Sequence, residues 1–172
     1  MHRPLERFCQ LAALLALTAT TTQAQMSPMF RGNPAHTGVS AAPLFRGQGG
    51  VYWRFRTGGA VRSSPAVTGD RVYAGSGDGY LYAINRATGR LIWRYAAGDA
   101  VTASPAVAAG LVIAATHQGR IFAVRAASGR LVWSRQTGPA LPLNTYPAGG
   151  WDIWAGSAVV SGTTVVIGGP DG

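Results

Sequence analysis

Between positions 51 and 136 the chain is a succession of short apolar runs, each closed by glycine or a small polar residue. Ser64–Thr68, Arg71–Gly75, Tyr80–Ile84 and Leu91–Tyr95 are each about five residues long. They are enriched in β-branched, aromatic and small side chains, the composition of half-buried or buried strands. Gly69-Asp70 closes the first run. Ser76–Gly79 closes the second through Asp78-Gly79, a dipeptide suited to the positive φ of a tight hairpin. Asn85–Arg90 turns through Thr88-Gly89. No segment sustains apolar positions at helical spacing over the roughly 11 residues that identify a helix.

The same sentence is written twice. Pro65 and Pro105, Gly79 and Gly119, Ala83 and Ala123, Gly89 and Gly129, and Trp93 and Trp133 all lie forty apart, and Trp53 lies forty before Trp93. Four short strands per forty residues is the pattern of a propeller blade. Val51–Arg56 aligns with Leu91–Tyr95 and Leu131–Arg135, so it is expected to form an outer strand. The repeats run 53–93 and 93–133. The register then breaks over 134–156 and resumes at 157–172, where Ser157–Gly162 matches Ser64–Gly69 and Val165–Gly172 matches Val72–Gly79. The expected fold is therefore all-β: a β-propeller of four-stranded antiparallel blades. It is partial, with an N-terminal closing strand, two full blades and half of a third, eleven strands in all. Propellers have at least about four blades, so the chain is expected to be the N-terminal part of a longer protein. Its open blade faces would favour aggregation in isolation.

Composition adds little to the fold and more to location. The 172 residues carry a net charge of +9, with fifteen basic residues, all of them Arg. These are scattered and form no basic run, which fits a solvated surface better than a nucleic-acid site. Residues 1–24 have the form of a secretory signal. Arg3 and Arg7 precede the apolar stretch Leu11–Leu17, and Thr22-Gln23-Ala24 offers a cleavage site after Ala24. Seven apolar residues are far short of the roughly 20 that span a bilayer, so no transmembrane segment is expected. Cys9 is the only cysteine. It precedes the apolar stretch, so it is not placed as a lipid anchor, and cleavage would leave no thiol. The mature protein is expected to be secreted or periplasmic. Residues 25–50 read as an irregular lead-in, with Phe30 and Gly32-Asn33-Pro34 suggesting that it packs against the rest. His36 has no partner group nearby in sequence and reads as structural.

Ala83, Asn85, Thr88, Gly89 and Trp93, within the run from Ala83 to Trp93, resemble the tryptophan-docking motif of pyrroloquinoline quinone (PQQ) repeats, A-x-D-x-x-T-G-x-x-x-W, with Asn85 in place of Asp. The second copy keeps Ala123, Gly129 and Trp133, but has Arg125 for Asp and Ser128 for Thr. Met29–Gly38 resembles the opening segment of secreted members of the same PQQ-like β-propeller family. The resemblance implies a ring of seven or eight blades in which each outer-strand Trp packs on a neighbouring blade. The motif residues are accordingly read as scaffold.

Candidate chemistry is sparse. Gly75–Gly79 lacks the spacing of a phosphate-binding loop and leads into a strand. Asp70, Asp78 and Asp99 lack calcium-loop spacing, and no triad or carboxylate pair is assembled. His117 is expected to face solvent. The insertion places Trp151-Asp152-Ile153-Trp154 at a blade crossing, near the mouth of the central channel. There Trp151, Asp152 and Trp154 could form an aromatic platform for a partner or ligand, or the two Trp could pack beneath the loop. Three readings stand. One is a binding or scaffold module, engaging a protein, small molecule or glycan at the mouth and similar to the scaffold that assists outer-membrane β-barrel assembly. The second is part of a PQQ- and calcium-dependent dehydrogenase of alcohols or sugars. The third is a recognition domain of a larger extracytoplasmic protein. No cofactor site is evident in the chain itself, and PQQ enters only if the complete protein is a quinoprotein.

Overall fold

The computed structural model describes residues 29–32, 35, 50–137 and 156–168. The signal-like segment, His36 and the Trp151–Trp154 cluster lie outside these residues. Ten strands are described. β1 (Ala66–Thr68), β2 (Arg71–Gly75), β3 (Tyr80–Asn85) and β4 (Leu91–Ala96) form one sheet in that order, and every neighbouring pair is antiparallel. β5 (Ala106–Ala108), β6 (Leu111–Ala115), β7 (Arg120–Arg125) and β8 (Leu131–Gln136) form a second sheet with the same order. β9 (Val159–Ser161) and β10 (Thr164–Val166) pair as the start of a third. The register repeats as well. Both sheets carry an irregularity at the same place, between Ala83 and Ile84 and between Ala123 and Val124.

Burial explains why the inner strands read as nearly continuous apolar runs. Successive side chains of a strand point to opposite faces, and the second blade is covered on both. Val112, Ala114, Phe122 and Val124 join Tyr73, Leu81 and Ala83 of the first blade in one core. Ile113 and Ala123, one step along each strand, join Ala158, Val160 and Met29 in another. Alternation thus sorts apolar residues between two cores rather than between core and water.

Three expectations need correction. Val51–Arg56 is not a strand: no ladder partner lies beside it among the described residues. It is held instead by side chains, with Trp53 Nε1–H donating to the Arg86 carbonyl at 2.7 Å and Phe55 edge-on to Tyr82 at 5.4 Å. A strand needs a hydrogen-bonding neighbour, which an aligned sequence does not supply. The first strand of each blade is also shorter, starting at Ala66 and not at Ser64. Lastly, the lead-in packs through Met29, which is buried, whereas Phe30 is exposed and stacks beneath the Arg31 guanidinium at 5.8 Å.

Candidate functional site

The blade junctions concentrate the polar contacts. On one side of the sheets, the β2–β3 hairpin turn meets the segment arriving from the preceding outer stretch. Gly77 N–H donates to the Ala60 carbonyl at 2.8 Å, and forty residues later His117 N–H donates to Ala100 at the same distance. A carboxylate reinforces each contact, from opposite directions. At the first junction Asp78, in the hairpin, accepts from Gly58 N–H at 2.7 Å. At the second, Asp99, in the arriving segment, accepts from Gln118 N–H at 2.8 Å. Gln118 lies forty residues after Asp78, and Asp99 forty after Gly59, the neighbour of the donor Gly58, so the carboxylate has moved from the hairpin to the arriving segment.

Asp78 has further partners. Its carboxylate accepts from Tyr80 N–H at 3.1 Å and from the Tyr82 hydroxyl at 2.6 Å. Burial pushes its pKa up, but the hydrogen bonds from Tyr82, Ser76, Gly58 and Tyr80 outweigh this and hold it below the ordinary carboxylate value. Burial, reinforced by Asp78, raises the Tyr82 phenol. Gly59 is tied to this arrangement, because a Cβ there would stand 2.5 Å from Asp78 N.

Between the two junctions lies an open cleft of about 390 Å³, lined by Gly77, Asp78, Gly79 and Tyr80 on one wall and Ala96, Gly98, Asp99 and Ala100 on the other. Arg94 caps the Tyr80 ring at 4.7 Å. His117, expected to face solvent, is half-buried at the edge of this junction. Nearby, the Thr102 hydroxyl is buried without a partner. The cleft joins Asp78 and Asp99, which lie in separate turns of the sequence. The signal that could have found it is the complementary exchange of Asp78/Gln118 with Gly59/Asp99.

The opposite side carries the motif residues. Trp93 Nε1–H reaches across to the Ala126 carbonyl at 3.0 Å, and its ring lies so near Gly129 that an added Cβ would stand 2.6 Å from Trp93 Cε3. Trp53 bears the same relation to Gly89, at 2.7 Å. Asn85 Oδ1 accepts from Ala87 N–H, Thr88 N–H and the Thr88 hydroxyl at 2.9–3.0 Å. Ala83 and Ala123 are fully buried opposite Trp93 and Trp133 in the ladders. Arg71 adds a latch absent from the second blade, donating through Nη1 to the carbonyls of Ala126 and Ala127 at 2.5 and 2.9 Å.

No cluster of three His, Cys, Asp or Glu side chains occurs among the described residues. Asp78 and Asp99 already accept backbone hydrogen bonds, and no thiol lies among the described residues. Among the described residues this donor set does not fit a quinone–calcium centre.

Consecutive four-stranded antiparallel sheets, stacked face to face and stitched at both ends with a forty-residue period, define a β-propeller. Residues 39–172 match the PQQ-like repeat family described as outer membrane protein assembly factor BamB, and the chain belongs to that family. No curated protein matches it. Among solved structures it is similar to BamB from Moraxella catarrhalis, at 22% identity with a TM-score of 0.57, covering 70% of this chain and 34% of that one. It is also similar to two quinohemoprotein alcohol dehydrogenases. The one from Comamonas testosteroni has 23% identity and a TM-score of 0.64, covering 88% of this chain and 24% of that one. The one from Pseudomonas putida has 24% identity and a TM-score of 0.67, covering 83% and 22%. The chain thus spans between 22% and 34% of the length of these structures.

Proposed function

We propose that the chain is an extracytoplasmic propeller module that binds a partner on its hairpin-turn side and has no catalytic site of its own. The observation that carries this reading is the engagement of Asp78 and Asp99, the cleft's two carboxylates, with backbone N–H groups that join successive blades. Groups so engaged hold a surface in shape and are poorly placed to move protons or ligate a metal. The family match supports a scaffold role, with an outer-membrane assembly component as the partner class. The signal-like residues 1–24 support the location. Trp151, Asp152 and Trp154, in the insertion, are proposed to extend the same side as an aromatic contact surface. The test is co-purification of the complete gene product with a β-barrel assembly component from cell envelopes. Substitution of Trp151 and Trp154 by Ala is expected to abolish it, and unchanged co-purification would refute the surface.

A second reading, part of a quinoprotein alcohol dehydrogenase, draws on the greater coverage and TM-scores of the two dehydrogenase structures. It separates cleanly from the first. Alcohol-dependent dye reduction by the complete gene product, after addition of PQQ and calcium, is expected to be absent. Turnover would overturn the non-enzymatic assignment.

A further inference from the structure

The arginines that look scattered along the chain are gathered by the fold. Arg86 and Arg90 sit in and beside the β3–β4 turn; at the β7–β8 turn Arg130 corresponds to Arg90, while Arg125 ends β7 in the place that Asn85 holds in the first blade. The two turns are neighbours, because Trp93 and Arg71 of the first blade bind the Ala126 carbonyl of the second. All four arginines are exposed, and none makes an ion pair with a described carboxylate. The only acidic residue in the neighbouring β1–β2 turn, Asp70, is 3.5 Å from Arg71.

Directly after Arg90 and Arg130, at the start of each outer strand, come two aliphatic residues that remain open to solvent. Leu91 is 45% exposed and Ile92 38%; Leu131 is 41% exposed and Val132 44%. β4 and β8 are the outermost strands of their sheets, with no described strand hydrogen-bonded along their outer edges. The result is a cation followed by two aliphatic side chains, presented twice on adjacent blades.

We propose that this rim docks on the surface of an anionic lipid bilayer, separately from the hairpin-turn side. Guanidinium groups would meet headgroup phosphates while the adjoining aliphatic side chains enter the boundary with the acyl chains. The aliphatic component favours a bilayer over nucleic acid, where stacking aromatics or polar base contacts would be expected beside the arginines. The strands do not cross the membrane in this arrangement.

Vesicle flotation of the full chain tests it, since lipid-bound protein rises while aggregates sink. The chain is expected to float with phosphatidylglycerol–phosphatidylcholine vesicles at a ratio of roughly 3:7, but not with phosphatidylcholine alone, and to be released by about 1 M salt. Each Arg→Gln change among Arg86, Arg90, Arg125 and Arg130 should lower partitioning about fivefold. Leu91→Ser with Leu131→Ser should lower it several-fold at unchanged charge. If the fourfold arginine variant fails to fold, Arg90→Gln with Arg130→Gln carries the same test. Absence of flotation, equal flotation with neutral vesicles, or indifference to the arginine changes would overturn the proposal. So would tighter binding to a DNA duplex or an acidic peptide with the same arginine dependence.

Discussion

Gly89 and Gly129 are constrained twice. Each has a positive φ, 69° and 70°, and each lies against an indole ring. Gly129→Ala therefore combines a left-handed backbone penalty with a clash against Trp93, and is expected to cost about 2–4 kcal/mol in urea unfolding. The same glycines cap turns of unequal quality. The Asn85 side chain satisfies three donors in the first turn, whereas Arg125, in the corresponding place, has no side-chain acceptor, and Ser128 N–H turns to the Arg125 carbonyl at 3.2 Å. Arg125→Asn together with Ser128→Thr should stabilise the second blade by about 0.5–1 kcal/mol. Asp78 sets a pH dependence. Its pKa in the folded state is below the ordinary 3.8. Its stabilisation is therefore complete above that value and is lost as pH falls through the folded pKa. Thermal melts should show this loss below about pH 4, and Asp78→Asn should be less stable at neutral pH with a flatter acid limb. Proline, glycine and Asp-Gly positions were readable because local backbone geometry demands those residues. The partners of Asp78 were not, since Gly58 is twenty residues away and Tyr82 looked like any strand aromatic.

Among the elements, the outer strands join the blades and the inner strands fill the cores. Trp93→Phe removes the hydrogen bond to Ala126 while keeping most of the packing on Tyr73, so it should cost about 1 kcal/mol, and Trp93→Ala about 3–4 kcal/mol. A double-mutant cycle with Gly129→Ala should show strong coupling, because both changes act on one contact. Strand positions were legible from the alternation of side chains and the forty-residue spacing. The status of 51–56 was not. Its residues match β4 and β8 closely, yet strand character depends on a neighbour's N–H and C=O groups, which no local pattern encodes. Met29 is a similar case: a methionine in an irregular segment gives no sign that it will fill a gap between the second and third sheets.

Over the whole molecule, stability should follow the stacking of blades. The second blade is covered on both faces, by the first blade and by β9–β10. Hydrogen exchange is expected to be slowest at 112–114 and 122–124, and faster at 159–161, where only one sheet contact is described. Fold class, blade length and the turn glycines were set by period and composition alone, since each repeat is a local hairpin unit whose alternation and turn chemistry sit within forty residues. Other features arose only when blades met. The cleft joins Asp78 to Asp99, the Arg71 latch closes on the next blade, and four dispersed arginines share one rim. These depend on which turn of one repeat touches which turn of the next, a distance that sequence spacing does not measure.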